Sequence, residues 1–128
     1  MHGATLVDLS GLGRGSLLTP HQLADVLLLT TDPAHPQLRD VMVDLPVGAL
    51  SGTLESRFGG DNPARGFVRA KTGSLPSIVG LSGTVVTSDD RLLVFSLAAD
   101  AVEPGATVGA RMIFDRFVGQ LAALGAGA

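Results

Sequence analysis

The run Leu92-Leu93-Val94-Phe95-Ser96-Leu97-Ala98-Ala99 constrains the fold more than any other part of the chain. It is apolar on both faces of a strand, whereas a half-exposed strand alternates apolar with polar residues. Strands of this kind lie centrally in sheets that are covered on both sides. Upstream, residues 78–87 are small and β-branched, and residues 67–72 also have strand composition. Gly73-Ser74-Leu75-Pro76-Ser77 is read as the turn between these two, and Ser88-Asp89-Asp90 as the turn into a third strand over 91–99. Loops this short predict antiparallel hairpins. A simple meander gives the last strand one partner only. Its other edge is then long, flat and hydrophobic, which is an aggregation template when exposed. The sequence therefore predicts a missing neighbour strand, and dimerisation or aggregation through residues 92–97 when that strand is absent.

The rest of the chain reads as helices and loops around this sheet. Residues 5–16 are glycine-rich and read as a short extended piece followed by a loop. Thr19-Pro20 opens a helix, since threonine caps well and proline suits the first helical position. Leu23, Val26, Leu27 and Thr30 form its apolar stripe, and Asp32-Pro33 stops it. A short helix is expected over 37–43, broken by Pro46 and Gly48, and a further helical turn over 52–58. Residues 59–63 are a loop by composition. Thr107 is placed as the cap of a last helix over 108–124. Its core stripe is Ala110, Phe114, Phe117, Val118, Leu121 and Leu124; Gly125 ends it, and a Gly-Ala-Gly-Ala tail frays beyond.

With 128 residues the chain is one domain at most. Apolar residues make up 45% and charged residues 16%, which excludes a disordered chain and suggests a surface that expects cover. A net charge of −3 with scattered basic residues does not fit nucleic-acid binding. No apolar run is long enough to span a membrane, and Met1 opens no secretory signal. There is no cysteine, and His2, His21 and His35 lack metal-ligand spacing, so no metal or cofactor is expected.

Lys71 is the only lysine, and the eight other basic residues are arginines. It lies in Arg69-Ala70-Lys71-Thr72-Gly73-Ser74-Leu75, on a strand read as running into a tight turn. Lys-Thr-Gly is one of three elements of penicillin-binding proteins and serine β-lactamases, beside Ser-x-x-Lys and Ser-x-Asn. None of the nine serines begins either of the other two, so the nucleophile is not in this chain. Asp8, Ser10 and His21 are not positioned by sequence as a triad. Arg65 and Arg69 read as ordinary surface arginines.

Larger stretches carry a family resemblance. Gly52-Thr53-Leu54-Glu55-Ser56-Arg57-Phe58, then residues 63–75, then Val79-Gly80-Leu81-Ser82-Gly83 closely resemble the D-alanyl-D-alanine carboxypeptidase/endopeptidase family, the class C low-molecular-mass penicillin-binding proteins or S13 peptidases. Asp8-Leu9-Ser10-Gly11-Leu12-Gly13-Arg14 is similar to that family's Asp-Gly-Ser-Gly-Leu-Ser-Arg loop. The chain departs from the pattern at Leu9, where glycine is usual, at Gly13, where serine is, and at Thr84, where an aromatic residue is common.

The resemblance implies an α+β fold: part of the penicillin-binding/serine β-lactamase-like transpeptidase fold, with three antiparallel strands, flanking helices and a C-terminal helix. Within one domain, residues 1–65 would hold the loop and short helices, 66–100 the sheet and 107–125 the helix. The whole protein would be a serine-type D-Ala-D-Ala carboxypeptidase, outside the cytoplasmic membrane, acting on peptidoglycan stem peptides and binding β-lactams. Lys71 would be the catalytic cation. Thr72, Gly73 and Ser74 would bind substrate, and Asp8, Ser10 and Arg14 would border the site. The missing N-terminal part of the domain would be this chain's partner, and the chain alone would be inactive. Two other readings are a non-catalytic module binding peptidoglycan peptide or a partner, and a fragment of a serine β-lactamase, which the Asp-x-Ser-Gly-Leu loop disfavours.

Overall fold

The computed structural model describes residues 3–126. His2 and the last two residues of the expected frayed tail lie outside them. Three strands, β1 (Val68–Leu75), β2 (Ile78–Val86) and β3 (Leu92–Ala99), form one antiparallel sheet in the order β1-β2-β3. The expected meander is therefore present. β1 is longer than its composition suggested. Gly73 pairs with Gly80, Ser74 with Val79 and Leu75 with Ile78, so the turn is only Pro76-Ser77, with Ser77 at φ 66°. Lys-Thr-Gly thus lies mid-strand instead of running into the turn. Cross-strand pairing with β2 overrides the turn propensity of Gly73-Ser74.

β1 and β2 approach so closely that a Cβ on Gly83 would sit 2.0 Å from the Arg69 carbonyl oxygen. Only glycine leaves room for that contact. Alternate residues then separate the two faces of the sheet. Val68, Ala70, Leu81, Val85 and Phe95 join Leu54, Phe58, Ala64, Val118 and Ala122 in one core. The last two lie on α3 (Thr107–Ala122), which covers this face. α1 (Pro20–Thr31) packs on β3 and β2 from the other side and leans on α2 (Arg39–Val43). β3 is covered on both faces, as its apolar sequence requires, while its outer edge is unpaired among the described residues.

α1 begins as expected. Gln22 N–H donates to Thr19 Oγ1 at 3.2 Å and Thr19 N–H to Gln22 Oε1 at 2.8 Å, a reciprocal capping box. Its inner face is Leu23, Leu27 and Thr30, whereas Val26 is exposed. The helix expected over 37–43 is split into a 3-10 turn, Pro36–Leu38, and α2. α3 also differs from expectation. Thr107 lies inside the helix, Ala106 is the cap residue, and no side chain caps it. Phe117 is 44% exposed and does not belong to the core, because Val118, Ala122, Phe114 and Leu121 define the packed face. The C-terminal end of α3 is held by the β2–β3 loop: Ser88 N–H donates to the Ala122 carbonyl at 2.8 Å and Ser88 Oγ to the Leu124 carbonyl at 2.7 Å.

Candidate active site

The free edge of β1 is only half free. Residues 46–48 run antiparallel to its first part. Gly48 N–H donates to the Val68 carbonyl and Ala70 N–H to the Pro46 carbonyl, each at 3.0 Å. These bonds fix which residues point outward. In an antiparallel ladder the N–H and C=O of one residue point to the same side and successive residues alternate. Val68 and Ala70 face outward, so Thr72 and Ser74 do as well, just beyond the cover of residues 46–48. An open backbone edge can pair with an extended peptide.

The side chains around this opening come from several elements. Lys71 Nζ donates to the Thr72 carbonyl at 2.6 Å and has no carboxylate partner among the described residues. Its Cα partner on β2 is Ser82, whose own neighbour on β3 is Ser96, and the two hydroxyls are 2.8 Å apart. A polar row therefore crosses the sheet beneath Lys71. Thr72 Oγ1 donates to Thr53 Oγ1 at 3.2 Å, which joins the strand to the 3-10 turn Gly52–Leu54. Arg111, from α3, donates through Nη2 to Ser74 Oγ at 2.9 Å. A Cβ on Gly73 would meet nothing in the chain closer than 3.9 Å, and its φ is not in the left-handed region. Packing within the chain does not call for glycine at this position.

The sequence brought Lys71, Thr72, Gly73 and Ser74 into view and missed Thr53, Ser82, Ser96 and Arg111. Thr53 and Ser82 lie within stretches that carry the resemblance, but only pairing in three dimensions gives them neighbours in the site. Asp8, Ser10 and Arg14 occupy a loop closed by Thr5 and Leu17, which exchange backbone bonds of 3.0 and 2.8 Å. Asp8 accepts from Ser10 Oγ, from Gly13 N–H at 2.9 Å and from Ser16 Oγ at 3.4 Å. The Ser10 hydroxyl and then the Gly13 N–H hold its carboxyl below the usual carboxylate range. Arg14 is exposed. No hydrogen bond or ion pair among the described residues joins this loop to β1.

His21 lies 3.7 Å from Asp25, away from Asp8 and Ser10 in its bonding, so no triad is assembled. Arg69 donates to the Val43 carbonyl at 2.7 Å and Arg65 to the Gly60 carbonyl at 3.5 Å; both act as tethers. Among the described residues no group of three or more His, Cys, Asp or Glu is placed to hold a metal, and no helix is long and apolar enough to cross a membrane.

The sheet with an open Lys-Thr-Gly edge, backed by a C-terminal helix, is the arrangement of penicillin-binding serine hydrolases. Penicillin-binding protein 4 of Haemophilus influenzae superposes with a TM-score of 0.81 at 26% identity, over 94% of this chain and 28% of that one. The sequence profile of the D-Ala-D-Ala carboxypeptidase 3 (S13) family matches residues 1–121, and the chain belongs to that family. A carboxypeptidase of Mycobacterium tuberculosis is 37% identical over 105 residues, 80% of this chain and 23% of the relative. The penicillin-sensitive carboxypeptidase A of Dictyostelium discoideum is 41% identical over 102 residues, 75% of this chain and 19% of the relative. The chain thus spans about a quarter or less of the curated relatives it matches. The α+β, transpeptidase-like fold expected from the sequence is the one found.

Proposed function

We propose that this chain is the C-terminal part of a single transpeptidase-like domain in a serine-type D-Ala-D-Ala carboxypeptidase. In that domain residues 1–65 supply the loop and short helices, 66–100 the sheet and 107–125 the closing helix. The substrate is the peptidoglycan stem peptide ending in D-Ala-D-Ala, met outside the cytoplasmic membrane. The peptide lies along β1 beyond residues 46–48. Lys71 places positive charge beside a nucleophilic serine supplied by the N-terminal part of the domain. Thr72 and Ser74 offer hydroxyls to the carboxylate of the last D-alanine. Gly73 keeps the strand free of a Cβ where the peptide approaches, and Ser74 N–H is one oxyanion donor.

The serine attacks the carbonyl of the D-Ala-D-Ala bond and forms an acyl-enzyme. The last D-alanine leaves with a proton on its amine, and water then releases the acyl group. Asp8, Ser10 and Arg14 border the site. The same N-terminal part adds the strand that pairs with the open edge of β3. The observation that carries this reading is the outward-facing Thr72 and Ser74 backbone next to a lysine with no carboxylate partner.

The test is capture of the native protein on immobilised penicillin, followed by intact mass. The expected result is a species several times the mass of this chain, with these residues at its C-terminus and one penicilloyl group. The chain alone is expected to form no adduct, and a covalent adduct on it would sink the reading. A free native chain of this length that penicillin does not capture supports the non-catalytic binding module instead.

A further inference from the structure

Arg111 is placed where its charge has no counterpart in the chain. It lies one turn into α3, and its Nη2 reaches a neutral group, the Ser74 hydroxyl, at 2.9 Å. The natural helical partner of an arginine is an acidic residue four positions away. Asp115 holds that position, but it is occupied by Arg57, which binds it through Nε and Nη2 with side chains only 10% and 16% exposed. Arg57 Nη2 also donates to the Arg111 carbonyl at 3.3 Å, so the pair fixes the turn of α3 from which Arg111 projects. Among the described residues Arg111 has no carboxylate partner. Its guanidinium presents a planar fork suited to a carboxylate. That fork stands at the open end of the β1 edge, against one of the hydroxyls read above as meeting the substrate.

We propose that Arg111 is a specificity-determining residue that selects substrates by a free carboxylate on the residue that leaves. The inference rests on the reading of β1 as the substrate edge. The guanidinium shares the carboxylate with the Ser74 hydroxyl, and the Arg57–Asp115 pair acts as its positioning group by keeping Asp115 from neutralising it.

The experiment compares two acyl-D-Ala-D-Ala peptides, one with a free C-terminal acid and one with a C-terminal amide, on the full-length protein. Arg111→Gln is expected to lower kcat/KM for the free acid by roughly 10–100-fold, the range of a lost charge-assisted hydrogen bond. The amide should change by less than about threefold, because it offers no carboxylate for the guanidinium to bind. Arg111→Lys, which keeps the charge without the fork, should restore only part of the discrimination, and thermal melting checks that both variants fold. Equal losses on both peptides, or no loss on the acid, would overturn the proposal. If the wild-type protein cleaves neither peptide and takes up no penicillin, the carboxypeptidase reading itself fails and this inference falls with it.

Discussion

Along the β1 edge, the outward backbone groups of Thr72 and Ser74 are flanked by hydroxyls, by Lys71 and by the guanidinium of Arg111. Along the β3 edge, the neighbours are Leu93, Phe95 and Leu97 on one face and Val94 on the other, with Leu92 47% exposed at the start. Both edges offer unpaired N–H and C=O groups with the same spacing, so backbone geometry does not tell them apart. The side chains do. A polar edge stays wet and can take and release an extended peptide. An apolar edge gains from permanent burial and is a hazard when left open. The two edges of one sheet are thus suited to opposite lifetimes of contact.

Replacing Lys71 with alanine should break the β1 side of this contrast most severely. Penicillin acylation of the full-length protein is expected to slow roughly 10²–10³-fold, the usual cost of removing one electrostatic group aimed at developing charge. Stability should change little, because Lys71 is exposed. An unchanged acylation rate at saturating penicillin would remove Lys71 from the site.

A pair of glycine substitutions separates folding from function on the same two strands. Gly83→Ala should destabilise the protein by about 1–3 kcal/mol, since the new methyl group meets the Arg69 carbonyl and the strands must part. Gly73→Ala should leave the melting temperature nearly unchanged while slowing acylation, because its Cβ meets nothing closer than 3.9 Å within the chain. Equal melting temperatures for the two variants would contradict this account of the hairpin.

At the other edge, Leu92→Lys on the separate chain should reduce self-association, as lysine does on natural edge strands. Light scattering across a concentration series measures it. A wild-type chain that stays monodisperse and monomeric at high concentration would count against the open apolar edge as the cause.

The smallest expected effect is on the β2–β3 turn. The Thr87 hydroxyl, and then Arg91, hold the Asp89 carboxyl below its usual range. A lowered folded-state value means that this contribution is fully present above the ordinary carboxylate range. It is lost as pH falls through the lowered value. Hydrogen exchange at the Thr87 and Arg91 amides, both bonded within the turn, should therefore quicken relative to the β1–β2 hairpin only at strongly acid pH.

The sequence determined the three strands, their antiparallel order and the open apolar edge, because strand composition and short connections are local and residues 92–99 are apolar on both faces. It also singled out Lys71 on its strand, through the rarity of lysine and a short motif, but not its place in the middle of β1. The start of α1 was legible because Thr19-Pro20, a cap residue followed by a first-turn proline, is a local signal. Only tertiary structure decided that β1 continues through Leu75, since the partners that hold Gly73 and Ser74 extended lie on β2. It alone decided that residues 46–48 cover half of the β1 edge and leave Thr72 and Ser74 open. The contacts that shape the candidate site join residues far apart in the chain: Thr53 with Thr72, Arg57 with Asp115, and Ser74 with Arg111. Such pairs leave no periodicity in the sequence, because the fold brings them together only after the local elements have formed.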